Sequence, residues 1–462
     1  MFCINLAFKQ HTQTKSDMKK RNWILLLALF IVFTNCKNSE KDSIQTTDNN
    51  NDTLPKFDSL DWANQYKFQK TDLIDKANKY RFLDKFYHDF WMQKNVSGGF
   101  LVAQHGKIIY EGYSGYSDIE KQIPLTAETP IHIASITKVL TGLAVLKLIE
   151  FDKIKLNDKV SKYLEGFPYD NVTIEDLLNH RSGLPNYLHL SDDKNYWDNS
   201  KMITNQDVLD ILTQKKPEAT GVAGKNFSYN NTNFVLLALI IEKVTGLSYP
   251  KAMKKMVFDP LGMKNTFVME FEKDADRVSK SYYNNGRPWN YDHLDITYGD
   301  KNVYSTPRDL FKMDVAMYSD KFLPKKLKDK AWKGYSYESK GVKNYGLGIR
   351  LMEWENGGKI LYHNGWWHGN NSTYVRDFEN EATIISLGNR KNRTIYSTFR
   401  LVSLFGDYPF QFPDASDTGS GNAEDSLKNL EKQMDSVKHK TRKDKVENLE
   451  GKVDSIKGKN KK

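Results

Sequence analysis

Cysteine is nearly missing from this chain. The 462 residues hold two, Cys3 and Cys36, both ahead of the part that reads as globular. A disulfide framework for the fold and a Cys-based zinc site are therefore excluded. Three hydrolase signatures are missing too: Gly-x-Ser-x-Gly, His-Glu-x-x-His and Cys-x-x-Cys do not occur. That removes the α/β-hydrolase nucleophile elbow and the common zinc hydrolases. No Lys-Ser/Thr-Gly occurs anywhere. Charge of one sign is scarce where it would matter. The net +10 divides into +4 over residues 1–21, +4 over residues 423–462 and only +2 over the rest. The central region so has no electrostatic claim on nucleic acid, and none is expected as a partner.

What is present is enough apolar material for a large core, 39% hydrophobic and 13% aromatic. Residues 18–36 read MKKRNWILLLALFIVFTNC. A basic start, an apolar run from Trp23 to Phe33 that is too short to span comfortably, and a closing cysteine have signal-peptide proportions. The ending resembles the lipobox of bacterial lipoproteins, with Asn35 where a smaller residue is usual. Residues 1–36 are expected to be a signal peptide with Cys36 as the lipidated residue, anchoring the protein to a membrane of the bacterial cell envelope, on the periplasmic or outer-membrane side. Residues 37–64 are polar and low in complexity, which reads as a disordered tether. Residues 65–413 read as one domain. Residues 414–462 read as a charged, partly helical tail in which NLEKQMDSVKHK (429–440) recurs as NLEGKVDSIKGK (448–459).

The domain is organised around Ile131–Asp152, IHIASITKVLTGLAVLKLIEFD. Its helix is apolar on nearly every face, as expected of an element in the middle of a domain. At its start stand Ser135 and Lys138, which share one helix face at a spacing of three. An amine beside a hydroxyl, at a helix end that favours developing negative charge, points to a lysine-activated serine nucleophile. Before it, residues 98–118 alternate as two strands around a His-Gly turn at 105–106. After it come a short helix at 172–178, a turn in HRSGLP (180–185), a short helix at 206–212 and a second apolar helix within 227–246. A helix at 306–317 follows, then strands at 345–352, 358–363, 372–377 and 382–387. Strands at both ends and helices between predict an α/β domain of the α+β type: an antiparallel sheet built from the two ends, flanked by helices, with a helical lobe inserted. His180 and Ser182 read as turn-forming.

Ser-x-x-Lys occurs four times and Tyr-x-Asn five, so neither is specific alone; His-x-Gly occurs once, at 363–365. Taken in order, HIASITKVLTGLAVLKLIE, IEDLLNHRSGLP, GKNFSYNNTNFVLLALIIEKVTG and LYHNGWWHG resemble the serine β-lactamase and penicillin-binding-protein superfamily. The nearer likeness is to its class C-like branch of D-alanyl-D-alanine carboxypeptidases and esterases. The resemblance implies a β-lactamase-like fold, no cofactor, no metal, and a small-molecule or peptide substrate. Ser135 is then the acylated nucleophile, Lys138 the amine that takes or relays its proton, and Tyr229 the general base. Asn231, His363 and Gly365 would contact substrate, and the backbone N–H groups of Ser135 and Trp366 would form the oxyanion hole. His-Asn-Gly stands where β-lactamases carry Lys-Thr-Gly, so a partly charged His363 replaces a permanent cation. That favours a peptidase- or esterase-like enzyme over a dedicated β-lactamase. The alternative reading is a catalytically silent envelope binding module of the same fold.

Overall fold

The computed structural model describes residues 54–408, apart from residues 56 and 276. The expected signal peptide, lipidation at Cys36 and the tail lie outside the described residues. Residues 54–64, which the composition places in the tether, pack on the domain, and the rest of that stretch lies outside the described residues. Leu54 is buried, and Trp62 packs against Phe322 with ring centroids 5.3 Å apart while its Nε1–H donates to the Pro260 carbonyl at 2.7 Å. Phe57 meets Phe151 edge-on. Three apolar side chains in a polar stretch suffice to seat it on the domain.

Helix α1 (Leu73–Phe86) opens at Asp72, whose carboxylate accepts from the Ile74 and Asp75 N–H groups. Strands β1 (Gly98–Gln104) and β2 (Lys107–Ser114) form the expected hairpin. Helix α2 (Thr137–Glu150) continues a single 3₁₀ turn, Ala134–Ile136, that carries Ser135. Helix α3 (Ile174–Leu178) begins with a reciprocal Thr173–Asp176 cap, and α4 (Thr232–Thr245) is buried along most of its length. Helix α5 (Pro307–Ala316) starts with Pro307 and a Thr306 cap. Among the described residues no single helix is long and apolar enough to cross a membrane.

The C-terminal strands are β3 (Lys343–Tyr345), β4 (Arg350–Glu353), β5 (Lys359–Trp367), β6 (Asn370–Asp377) and β7 (Ala382–Gly388). Together with the hairpin they make one seven-stranded antiparallel sheet in the order β2-β1-β7-β6-β5-β4-β3. The run expected as one strand at 345–352 is two. The backbone turns at residues 346–349 because Gly348, at φ +80°, lies against Gly142 of α2, where a Cβ would sit 3.1 Å from the Lys138 carbonyl. Helical segments not foreseen include Tyr249–Met253 and the 3₁₀ helix Arg393–Leu404.

The sheet is a middle layer. Leu101, Leu361, Tyr374 and Ile385 face the core that holds α2 and α4. Their neighbours Phe100, Ile360, Tyr362, Val375 and Ile384 face a second core with α1 and Arg393–Leu404. Alternate side chains of one strand point to opposite faces, so both faces are covered. A buried ion pair ties the layers together. Asp314 of α5 receives Arg376 Nη1 at 2.9 Å, the Tyr374 hydroxyl at 2.7 Å and the Thr383 hydroxyl at 2.6 Å. Asp314→Ala should leave the Arg376 charge buried and unpaired, lowering stability by about 3–5 kcal/mol in urea unfolding; a loss under about 1 kcal/mol would show the pair to be dispensable.

Candidate active site

The chain enters α2 through a strained corner. Ala134 adopts φ +48°, a conformation that costs a non-glycine residue free energy and persists only where its surroundings enforce it. Here the Ser372 hydroxyl holds the Ile133 carbonyl at 2.7 Å, and the Ala134 N–H donates to His132 Nδ1 at 3.1 Å. The corner leaves Ser135 partly exposed and Lys138 wholly buried. Lys138 Nζ reaches Ser135 Oγ at 3.1 Å, Asn231 Oδ1 at 2.8 Å and the Asp300 carbonyl at 2.8 Å. An ammonium has three N–H donors, and three acceptors from three separate segments use all of them.

Of the residues predicted for the site, Ser135, Lys138, Tyr229 and Asn231 come together. Asn231, expected to contact substrate, turns its carbonyl oxygen inward to the lysine. Tyr229 presents its ring rather than its hydroxyl, with Lys138 Nζ 5.1 Å from the ring centroid. Among the described residues the phenol oxygen has no hydrogen-bond partner. His363 is the larger correction. Its ring is fully buried, Nε2 meets the Tyr345 hydroxyl at 3.1 Å, and Nδ1 meets the Asn364 carbonyl at 2.8 Å. Burial, with Arg350 and Lys138 adding repulsion, holds it well below the usual histidine range. It is neutral and internal rather than a partly charged substrate contact.

Three participants were not foreseen. Arg350 of β4 places its guanidinium 4.7 Å from the Tyr229 ring centroid and has no carboxylate partner among the described residues. A permanent cation is thus present after all, supplied from the neighbouring strand. His180 packs its ring 4.4 Å from that of Tyr229 and is fully buried, so it belongs to the site rather than to a turn alone. Asp300 serves through its backbone carbonyl, which any residue type could supply.

Gly365 of β5 passes close against the serine corner. A Cβ there would fall 2.2 Å from Ser372 Oγ and 2.6 Å from the Ile133 carbonyl oxygen. The Gly365 carbonyl accepts from the Tyr396 hydroxyl at 2.8 Å. In a trans peptide the next N–H points the opposite way, so the Trp366 N–H is directed away from Tyr396. Trp366 itself is 61% exposed and rims the site, whereas Trp367 and His368 are pinned by Asp295. Asp292, Asp295 and His368 could in principle hold a metal. Both Asp295 oxygens, however, already accept protein donors at 2.6 and 2.9 Å.

The sequence profile of the family described as Beta-lactamase matches residues 83–398. Penicillin-binding protein 4* of Bacillus subtilis is 32% identical over 341 residues, covering 69% of this chain and 74% of that protein. The teichoic acid D-alanine hydrolase of Staphylococcus aureus is 33% identical over 247 residues, 51% of this chain and 58% of that protein's length. Among solved structures, a penicillin-binding protein from Bacillus halodurans superposes with a TM-score of 0.61 at 22% identity, over 68% of this chain and 97% of that one. This likeness bears on the fold alone. An octameric homologue from Pyrococcus abyssi gives a TM-score of 0.60 at 26% identity, over 71% and 78%.

Three buried imidazoles surround the site. Burial lowers His132 to about 3, and it holds His180 and His363 well below 6.5, with Lys138 and Arg350 adding to the effect. As pH falls through ~6.5 the unfolded chain takes up these protons and the folded chain does not, so stability is present above that value and lost below it. Urea midpoints measured down the acid side should fall, and His132→Gln should flatten the slope; an unchanged slope would show that His132 is charged when folded.

Proposed function

The chain belongs to the Beta-lactamase family, and from that membership and the geometry around Ser135 we propose a serine hydrolase that cleaves an amide or ester through an acyl-enzyme. One observation carries the reading: a solvent-reaching hydroxyl at the head of the innermost helix is bonded to a buried lysine amine at 3.1 Å. Ser135 Oγ attacks the substrate carbonyl. Its proton passes to the Tyr229 oxygen and from there to the leaving group, general acid–base work that suits a phenol left without a protein partner. Negative charge that appears on the attacking oxygen faces Lys138, and charge on the phenol faces both Lys138 and Arg350. The carbonyl oxygen is received by the N–H groups of Ser135 and Trp366, the first an unpaired donor of an opening helical turn. Water then releases the acyl group by the same path in reverse.

The relatives' names support this class, since one is called a D-alanine hydrolase and another a penicillin-binding protein. Without Lys-Thr-Gly, and with the cation displaced to Arg350, the site suits a peptidase or esterase more than a dedicated β-lactamase. Membrane attachment through Cys36 and a place in the cell envelope complete the reading. A fluorophosphonate probe should label Ser135, and Ser135→Ala should be unlabelled and lose hydrolysis by about 10³-fold or more on a short ester or a D-Ala-D-Ala peptide. Turnover retained in that variant would refute the mechanism. Cys36→Ser should shift the protein from the membrane to the soluble fraction; persistence in the membrane would refute the anchor.

A further inference from the structure

We propose that His180 is the positioning residue for Tyr229, and that it acts only as the neutral imidazole carrying its proton on Nε2. The inference rests on the acyl-transfer role given above to Tyr229. Tyr229 lies between two residues whose N–H groups both bond to the same histidine. The Ser228 N–H donates to the His180 carbonyl at 2.9 Å, and the Asn230 N–H donates to His180 Nδ1 at 3.1 Å. The two rings meet with centroids 4.4 Å apart and planes inclined by 40°. One side chain and its own backbone therefore grip Tyr229 from before, from behind and on its face.

The protonation state follows from the donors. A backbone N–H cannot accept, so Nδ1 must offer a lone pair and the proton must stand on Nε2. A second donor, Asn233 Nδ2, lies 3.3 Å from the same Nδ1, and its own oxygen is taken by the Ser182 hydroxyl at 2.6 Å. The motif HRSGLP thus contributes two side chains to one buried network. Nε2 is buried with no hydrogen-bond partner among the described residues. The ring's other neighbours are the Tyr345 edge at 4.7 Å, Phe234 and Phe227. The charged and titratable groups acting on it are Lys138, Arg350 and His363. No carboxylate among the described residues bonds to it. A proton on Nδ1 would break the Asn230 bond and meet two cations. The backbone at His180 is held at φ +59°, a further sign that its surroundings fix this conformation.

A residue that only helped the loop to fold would affect stability and leave the chemistry alone. A positioning residue should change the rate at which Ser135 acylates. Two substitutions separate the contacts: His180→Asn keeps an acceptor near Nδ1 and loses the ring, and His180→Phe keeps a ring and loses the acceptor. Labelling of the full chain by the fluorophosphonate should slow by about 10²-fold in His180→Phe, the size expected of a small displacement of a reacting group. KM should stay within a few-fold, and His180→Asn should recover about tenfold of the loss. Equal labelling of His180→Phe and wild type would overturn the proposal. Long-range nitrogen–proton correlation spectra of the wild type give a reading that needs no variant to fold. They should show Nε2–H with Nδ1 bare at neutral pH; an Nδ1–H tautomer or an imidazolium would overturn the proposal outright. Wild-type protein that ignores the probe would instead overturn the acyl-enzyme reading, and this assignment with it.

Discussion

A buried ammonium with only neutral acceptors is the constraint around which the molecule is arranged. Among the described residues Lys138 has no carboxylate partner; its three N–H bonds go to a hydroxyl, an amide oxygen and a backbone carbonyl. Removing such a charge from water is expensive unless every donor is matched. The match requires the head of α2, the head of α4 and the loop before residue 303 to converge on one point. It also sets the character of the neighbours. Burial is what holds the imidazoles around the ammonium below their usual range, and for His180 and His363 the Lys138 charge adds to that effect. Arg350 is partly exposed and stands over the Tyr229 ring.

The sheet makes that convergence durable. Strands from the two ends of the domain pair through β1 and β7, while the inserted helices press on one face. Because β6 and β7 are covered on both faces, β5 beside them is held firmly, and with it the edge that faces Ser135. The Arg376–Asp314 pair fastens α5 to the same strands from below.

Much of this could be read from the sequence, and what could not be read has a common cause. The apolar all-round pattern of α2 and α4, with Ser135 and Lys138 at the head of one, is local information and was visible as such. The antiparallel sheet from both ends followed from strand-like runs at 98–118 and beyond 345. Contacts made by the backbone were not visible: the Asp300 carbonyl and the two N–H groups gripped by His180 leave no mark on residue type. Arg350 belongs to no motif and becomes relevant only because β4 pairs with β5 short of residue 363. The burial of His363 is not legible because it depends on Tyr345, a residue 18 positions away whose hydroxyl meets its ring. The seating of residues 54–64 on the domain is not legible because composition averages away three well-placed apolar side chains.

Gly365 has one more implication. Where it passes Ile133 and Ala134 there is no room for a side chain, so β5 cannot slide by one residue against the serine corner. Slippage would bring Asn364 or Trp366 into space that admits only hydrogen. The separation between β5 and the corner that carries Ser135 is consequently fixed where the two cross.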